Sequence, residues 1–237
     1  MTFAVVTGGA RGIGAGIVTR LRADGHRVAV LDVDVTGADG DLVVECDVSS
    51  EESVAAAFDR VHAGLGAPLI VVNNAGFARD QPLTEMSLSD WDAVVDVCLR
   101  GAFLTTRLAA PFMKAAGFGR IVNISSTSAL GDPERVQYVA AKSGLNGFTK
   151  AAALELGPFG VTVNAVAPGF TVSAMTARSA ARRGRSVEEH QRIAVESSPV
   201  RGIGYPEDIA HAVSFFTSEG ARYVTGQVLY VAGAPVG

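Results

Sequence analysis

Short apolar segments rich in Val and Ile recur along this chain, separated by segments long enough to form helices. Their apolar residues are consecutive rather than alternating, which is typical of strands buried on both faces. Such strands form parallel sheets covered by helices on both sides, so the sequence predicts an α/β fold with a doubly wound parallel sheet and right-handed crossovers. The predicted strands are residues 3–7, 28–32, 42–46, 69–73, 120–125, 161–166 and 228–231.

Helical patterns fill the segments between these strands. Pro111 lies inside the third predicted helix, and we expect it to break or kink that helix because proline lacks an amide hydrogen. The connection after Asp32 is too short for a crossover helix, so the second helix is missing or reduced to a turn. The predicted helices are residues 12–24, 50–63, 91–116, 136–156 and 206–218.

Composition narrows the class of protein. The 237 residues are 48% hydrophobic, which suits a single α/β domain over residues 1–237 with a large core. A net charge of −4 provides no field that attracts nucleic acid. No apolar run approaches the roughly 18 residues of a membrane span, so neither nucleic acid nor a membrane is expected as a partner.

Signals for secretion and metal binding are also sparse. The N-terminus shows no basic segment followed by a long apolar stretch, so a secretory signal is not expected. Cys46 and Cys98 form neither a disulfide framework nor a zinc-binding spacing. The four histidines are scattered, and each is expected at the surface or between helices. The sequence therefore predicts no metal and a cytoplasmic location.

A glycine-rich turn directly follows the first strand. Gly8 permits a tight turn, Gly12 lets the backbone approach a pyrophosphate, and Gly14 allows close packing of helix on strand. The helix that begins there offers N–H groups and a positive dipole to an anion. An ordinary strand–helix turn can contain the same glycines, so the pattern gains meaning only from its neighbours.

Asp32 and Arg11 make opposite predictions about the cofactor. A carboxylate at the end of the second strand would accept hydrogen bonds from the adenosine ribose and repel a 2′-phosphate, which favours NAD. The Arg11 guanidinium could instead pair with a 2′-phosphate, or it could be exposed to solvent. We give Asp32 more weight and predict NAD, with NADP as the alternative.

Tyr138 and Lys142 lie four residues apart in a predicted helix, and therefore on one face of it. The ammonium group would stabilise a phenolate and lower the tyrosine pKa from about 10 toward neutrality, which suits a general acid or base. A solvated helix could carry the same pair by chance. The hydroxyl-ended strand upstream and the glycine turn favour hydride transfer.

Six motifs occur in a characteristic order: TGGARGIG (7–14), CDV (46–48), NNAG (73–76), ISS (124–126), YVAAK (138–142) and NAVAPG (164–169). On these motifs the chain resembles the short-chain dehydrogenase/reductase family along nearly its whole length. Its C-terminal segment is similar to β-ketoacyl-carrier-protein reductases. The resemblance implies a Rossmann sheet of seven strands, a homotetramer, and an NAD(P)-dependent oxidoreductase that interconverts a ketone and a secondary alcohol.

The resemblance also implies where the cofactor binds. Asp47 and Val48 would flank the adenine, Lys142 would hold the nicotinamide ribose, and Asn73 would join neighbouring strands. After the fourth strand, Asn74, Ala75 and Gly76 would line the cofactor ribose region. After the sixth strand, the residues that would contact the nicotinamide amide are Pro168, Gly169, Thr171 and Ser173. The complete set is Gly8, Arg11, Gly12, Ile13, Gly14, Asp32, Asp47, Val48, Asn74, Ala75, Gly76, Tyr138, Lys142, Pro168, Gly169, Thr171 and Ser173.

The implied catalytic residues are Ser126, Tyr138 and Lys142. Ser126 would donate a hydrogen bond to the substrate oxygen, and Tyr138 would exchange a proton with it. Ser125 keeps the commoner spacing to the tyrosine, but adjacent strand residues point to opposite sides, and a loop absorbs a deletion more easily than a strand. We therefore favour Ser126 over Ser125, with Ser128 as a third candidate.

Two positions depart from the family pattern. Cys98 stands where the family usually has an asparagine that holds a water near the lysine, and a thiol is a poor donor and acceptor. Cys98 could be a small buried residue that fills space, while water or backbone groups connect the lysine to bulk solvent for proton exchange. Alternatively, it could indicate slowed proton exchange or a degenerate enzyme. Ala232 replaces the usual acidic residue near the C-terminus, which would loosen a subunit contact.

Residues 174–200 fall where relatives carry a substrate lid. This segment holds Arg178, Arg182, Arg183 and Arg185, which would either clamp an acidic substrate or form a solvated, mobile helix. An apolar pocket could come from Phe77, Leu130, Phe170 and Met175, although each could equally belong to the core. The substrate itself is not predicted.

Two other functions compete with the oxidoreductase. A non-catalytic nucleotide sensor would explain Cys98 and the short connection after Asp32. A lyase or epimerase could use the same scaffold without consuming its cofactor. Both remain alternatives at this stage, because a fold does not fix a function.

Overall fold

The computed structural model describes residues 2–236 and contains one seven-stranded parallel sheet in the order β3-β2-β1-β4-β5-β6-β7. Each strand is within two residues of its predicted bounds, and the α/β doubly wound prediction is confirmed. The strands are β1 (Phe3–Thr7), β2 (Arg27–Asp32), β3 (Leu42–Glu45), β4 (Pro68–Asn73), β5 (Gly119–Ile124), β6 (Val161–Pro168) and β7 (Val228–Val231).

Helices cover both faces of this sheet. They are α1 (Gly12–Ala23), α2 (Glu51–Leu65), α3 (Leu88–Val95), α4 (Gly101–Ala116), α5 (Val136–Leu156), α6 (Ala174–Arg182), α7 (Val187–Ser197) and α8 (Pro206–Thr217). As the short connection predicted, β2 runs into β3 without an intervening helix.

The core consists of two apolar layers separated by the sheet. Consecutive strand residues feed opposite layers, with Val5 packing toward α2, α4 and α5, and Val6 toward α1 and α8. This explains why the strands are apolar at consecutive positions. Within residues 2–236, no helix is both long enough and apolar enough to cross a bilayer.

The predicted break at Pro111 is wrong. Helix α4 continues through this residue to Ala116. Pro111 is exposed, so the backbone carbonyl that loses its hydrogen bond lies on the solvent side, where water can satisfy it. The irregularity occurs earlier, where residues Asp96–Arg100 form a π-helical turn between α3 and α4.

The segment after β6 forms two helices, α6 and α7, that lie over the carboxyl end of the sheet. Ser173 caps α6 through a reciprocal capping box with Thr176, and Ser186 caps α7 by accepting from the Glu189 amide. Polar side chains at both helix starts thus give this charged segment defined secondary structure.

Candidate active site

A cleft of about 970 Å³ opens at the carboxyl ends of β1, β2, β4, β5 and β6. This edge contains the point where strand order reverses, the usual ligand site of open α/β sheets. All the predicted catalytic and cofactor-binding residues line it. They are Gly8, Arg11, Gly12, Ile13, Gly14, Asp32, Asp47, Val48, Asn74, Ala75, Gly76, Ser126, Tyr138, Lys142, Pro168, Gly169, Thr171 and Ser173.

The glycine turn between β1 and α1 has the geometry that its sequence predicts. Gly8 and Gly12 adopt left-handed backbone angles, with φ of 62° and 56°. A Cβ on Gly14 would overlap the Gly8 carbonyl oxygen, so only glycine allows this packing of helix on strand. A Cβ on Gly12 would meet nothing within 4 Å, which leaves open space beside the backbone.

The start of α1 is suited to a phosphate. Arg11 occupies the N-cap position without capping the helix through its side chain, and no acidic residue lies in the first turn. The first amide groups of α1 are therefore free of side-chain partners and face the cleft. The open space at Gly12 and these amides fit the pyrophosphate of a dinucleotide.

Asp32 and Arg11 both lie at the cofactor end, in different surroundings. The Asp32 carboxylate is buried and accepts hydrogen bonds from the Ala10 amide at 3.1 Å and the Asp34 amide at 3.3 Å. The Arg11 guanidinium is exposed and pairs with Asp34 at 2.9 Å. A carboxylate thus already neutralises the arginine.

Asn74 has a structural task that its sequence position did not reveal. Its amide nitrogen donates to the carbonyl oxygens of Thr7 and Gly8 at 2.9 and 2.8 Å. The Thr7 hydroxyl in turn accepts from the Asn74 and Ala75 amides. These bonds fasten the end of β4 to the glycine turn. Asn73 lies outside the cleft and bonds across the sheet to Asn123 at 2.8 Å.

The adenine side of the cleft is formed by the residues after β3. Asp47 is exposed and accepts from the Ser49 amide and hydroxyl at 2.9 and 2.7 Å. Val48 is buried against Gly101, where an added Cβ would lie 2.9 Å from the valine side chain. The loop therefore presents one polar and one apolar side chain.

Tyr138 and Lys142 point together into the cleft from α5. Both are buried, with 7% and 2% exposure, and the lysine Nζ lies 5.5 Å from the tyrosine ring centroid. Nζ donates to the Ile124 carbonyl oxygen at 2.6 Å, which holds the lysine at the end of β5. The pair is therefore not a chance pair on a solvated helix surface, because both side chains are buried.

The pKa of Tyr138 differs from the sequence-based expectation. Burial raises it above its ordinary value, although Lys142, a hydrogen bond with Ser126, and Arg135 each act to lower it. Desolvation of a phenolate in an enclosed site thus outweighs a single ammonium group. The phenol is the resting form of this side chain in the protein alone.

The three candidate serines occupy different positions. The Ser125 hydroxyl is buried and donates to the Lys142 carbonyl oxygen at 3.4 Å, a contact within the structural framework. The Ser128 hydroxyl donates to the Asp132 carboxylate at 2.8 Å. The Ser126 hydroxyl lines the cleft and accepts from the Ser128 amide at 3.1 Å. Ser126 is also the one of the three serines that acts on the pKa of Tyr138, which it lowers.

Cys98 lies in the π-helical turn and is buried beside Tyr138. Its Sγ contacts the Phe77 carbonyl oxygen at 3.6 Å. A Cβ on Gly76 would lie 3.2 Å from this sulfur and 3.4 Å from Lys142 Nζ, so the thiol borders the lysine. The π-helical turn forms here without an asparagine.

The segment after β6 turns sharply toward α6 and α7. A Cβ on Gly169 would lie 2.8 Å from the Ala232 Cβ, so glycine is required where this segment passes the C-terminal strand. The Thr171 hydroxyl donates to the Gly169 carbonyl oxygen at 3.4 Å. Pro168, Thr171 and Ser173 line the cleft.

An ion-pair network that no sequence pattern predicted joins α6 to the start of α5. Arg135 binds the Asp80 carboxylate through two hydrogen bonds of 2.8 and 3.0 Å, and Asp132 at 3.1 Å. Arg182 on α6 pairs with the same Asp80 at 3.3 Å. These residues are far apart in sequence, so no local pattern announces the network.

His190 is buried, unlike the other three histidines. It is 8% exposed, lines the cleft from α7, and packs edge-on against Phe170 with ring centroids 5.2 Å apart. Phe77 and Met175 also line the cleft, whereas Leu130 is exposed outside it. Arg178 and Arg183 line the cleft, and Arg185 does not.

Comparison with known proteins bears on the family of this chain. A family model described as enoyl-(acyl carrier protein) reductase matches residues 8–233. The chain is 40% identical to the 3-oxoacyl-[acyl-carrier-protein] reductase FabG of Pseudomonas aeruginosa, covering 97% of the chain and 95% of the relative. It is 39% identical to the short-chain reductase NovJ of Streptomyces niveus, covering 97% and 92%.

A solved structure shares the fold throughout. The ligand-free aldohexose dehydrogenase of Thermoplasma acidophilum superposes with a TM-score of 0.94 at 31% identity, covering 100% of this chain and 96% of that one. The chain belongs to the short-chain dehydrogenase/reductase family. It is an oxidoreductase that uses a nicotinamide cofactor to interconvert ketones and secondary alcohols, and its relatives do not favour the lyase, epimerase or sensor alternatives.

Proposed function

We propose that this enzyme reduces a 3-oxoacyl-type ketone, as the names of its most similar relatives suggest, and that Ser126, Tyr138 and Lys142 carry the proton chemistry. The observation that supports this most is the convergence of a buried Tyr138–Lys142 pair with the glycine turn in one cleft. When bound, the nicotinamide cofactor supplies or accepts the hydride.

The proposed roles follow from position. Ser126 donates a hydrogen bond to the substrate carbonyl oxygen and orients it toward Tyr138. The Tyr138 phenol, neutral at rest because burial raises its pKa, gives its proton to the oxygen as alkoxide character develops. Lys142 then stabilises the phenolate, and it remains held by the Ile124 carbonyl oxygen or exchanges that bond for the cofactor ribose.

A panel of ketones tests the reaction. The purified protein is incubated with NADH or NADPH and with 3-oxoacyl thioesters, simple ketones and sugar-derived ketones, while nicotinamide absorbance is followed. We expect cofactor oxidation with at least one thioester. Absence of any absorbance change across the panel, or product formation without cofactor oxidation, would overturn the proposal.

We propose NAD rather than NADP as the preferred cofactor. A 2′-phosphate would approach the buried Asp32 carboxylate, and Arg11, the nearest guanidinium in the turn, is already paired with Asp34. Repulsion by a fixed carboxylate disfavours the phosphate, whereas ribose hydroxyls can donate to it.

Paired affinity measurements decide between the two cofactors. We expect NADH to bind more tightly than NADPH, and Asp32→Ser to shift the ratio toward NADPH by about tenfold or more, equivalent to about 1.4 kcal/mol. Asp39→Asn is the matched control, because this exposed carboxylate pairs with Arg22 and does not line the cleft. Tighter binding of NADPH by the unmodified protein would contradict the proposal.

We further propose that the chain forms one catalytic domain with residues 174–200 as its lid, and that it assembles as a homotetramer in the cytoplasm. Exposed apolar side chains on α4 and α5 support assembly, with Phe103 44% and Leu154 82% exposed. Sedimentation velocity should show a tetramer. A monomer at micromolar concentration would refute the assembly.

A further inference from the structure

The lid end of the cleft carries more positive charge than its carboxylates neutralise. Asp80 and Asp132 are both engaged by Arg135, and Asp80 also binds Arg182. Arg178 and Arg183 line the same part of the cleft, and neither forms an ion pair within residues 2–236. Two guanidinium groups therefore border the cleft without a counterion.

A buried histidine faces the same region. Only 8% of the His190 surface is exposed, and its Nδ1 has no hydrogen-bond partner among the described residues. Its ring is fixed against Phe170, which also lines the cleft. An unpartnered polar atom is costly in a buried position, and an incoming ligand group could satisfy it.

Electrostatic influence shows that these groups are neighbours. Burial lowers the pKa of His190, and the guanidinium groups of Arg183, Arg185 and Arg135 lower it further. Arg135 also acts on the pKa of Tyr138. Arg135 is therefore near enough to influence both the Tyr138 phenol and the His190 ring, and all three line the cleft. Glu188 and Glu189 begin the same helix but do not line the cleft.

We propose that the substrate carries an anionic group, a carboxylate or a phosphate, and that Arg178, Arg183 and His190 bind it while Tyr138 faces the carbonyl. This inference rests on the proposed ketone reduction and adds the substrate's charge. Guanidinium groups suit both anions because their donors form charge-assisted hydrogen bonds. The neutral imidazole contributes a single donor or acceptor.

Substrates that share the reacting ketone and differ by one charged group provide the test. 4-Oxopentanoate is compared with its methyl ester, and the 4′-phosphopantetheine thioester of acetoacetate with its phosphate-free pantetheine thioester. We expect kcat/KM to favour the charged member of at least one pair by about tenfold or more. Preference in the first pair identifies a carboxylate, and preference in the second identifies a phosphate.

Variants locate the anion. Arg183→Gln and Arg178→Gln change exposed side chains and should fold, and each should lower the charged-to-neutral ratio of kcat/KM severalfold. His190→Gln tests the buried group. Arg192→Gln is the matched control, since this arginine lies on α7 with His190, pairs with Glu196 and does not line the cleft.

Calorimetry separates this inference from the reaction. The two charged ligands and their neutral partners are titrated into the protein saturated with cofactor. If no ketone is reduced but the charged ligands bind more tightly and Arg183→Gln removes the difference, the proposed reaction fails and the anion site stands. Ratios near one in both pairs, unchanged by Arg183→Gln in rate and in binding, would overturn the site.

Discussion

The two ends of the cleft are built in different ways. At the cofactor end, backbone geometry dominates: Gly8, Gly12 and Gly14 shape one turn, and Asn74 fastens it through backbone carbonyl groups. At the lid end, side chains dominate, because Asp80, Arg135 and Arg182 come from three separate segments. The first design suits a ligand with invariant phosphates, and the second lets substrate specificity vary on the same fold.

The largest expected effect tests the chemistry that lies between the two ends. Tyr138→Phe removes only the hydroxyl from a buried ring, so turnover should fall by about 10²–10⁴-fold, the usual contribution of a general acid. Cofactor affinity and melting temperature should stay close to those of the unmodified protein. Steady-state kinetics measures the turnover, and calorimetry measures the cofactor affinity and the melting temperature.

Tyr223→Phe is the control, because Tyr223 is 95% exposed and should tolerate the change. A Tyr138→Phe variant that keeps more than a tenth of the turnover would show that Tyr138 is not the proton donor.

A second change attacks the cofactor end. Gly14→Ala places a methyl group against the Gly8 carbonyl, so the helix and turn must separate, at a cost of about 1–3 kcal/mol in unfolding free energy. Cofactor affinity should drop at least tenfold, because the turn itself is the binding element. Thermal unfolding and cofactor titration check this.

Gly147→Ala serves as the comparison, since its added methyl meets nothing within 4 Å on helix α5. That variant should gain about 0.5–1 kcal/mol. Equal stability of the two alanine variants would show that the close approach at Gly14 is not required.

These two ends also differ in how far the sequence predicts them. The glycine turn, Asp32 and the Tyr138–Lys142 pair are local patterns, and the structure brings every predicted site residue to one cleft. The network around Arg135 and the burial of His190 depend on where the lid folds back, which spacing does not encode. Pro111 was misjudged because the penalty for a helical proline depends on which side faces solvent.

The lid network should contribute measurably to stability. Asp80→Asn removes both ion pairs that Asp80 makes, and because Arg135 is only 15% exposed, we expect a loss of about 2 kcal/mol in unfolding free energy. Glu196→Gln breaks the exposed pair with Arg192 and should change stability by less than about 0.5 kcal/mol. Denaturant titration compares them, and equal losses would contradict a structural role for the network.

Cys98→Asn should have a small effect. The thiol borders Lys142 and makes only a weak contact with the Phe77 carbonyl, so an amide that restores hydrogen bonding near the lysine should keep or raise turnover. Steady-state turnover of the variant measures this. A loss beyond tenfold in a folded variant would show that the thiol has its own role.

The smallest expected effect concerns pH. Because burial lowers the pKa of His190 in the folded protein, the unfolded chain binds a proton near pH 6.5 that the folded chain resists, and stability falls as the pH drops through that value. His190→Gln should therefore reduce the loss of unfolding free energy between pH 7 and about 5.5. Denaturant titration at both pH values measures this, and an unaltered loss in His190→Gln would contradict the burial of His190.

Isotope transfer tests the central claim most directly. Reduced cofactor carrying deuterium at both hydrogen positions of the nicotinamide C4 is incubated with the enzyme and the ketone that it reduces, and the alcohol is analysed by mass spectrometry and NMR. We predict deuterium on the former carbonyl carbon, one equivalent per cofactor oxidised, and none with Tyr138→Phe on the same timescale. An alcohol without deuterium would contradict hydride transfer in this cleft.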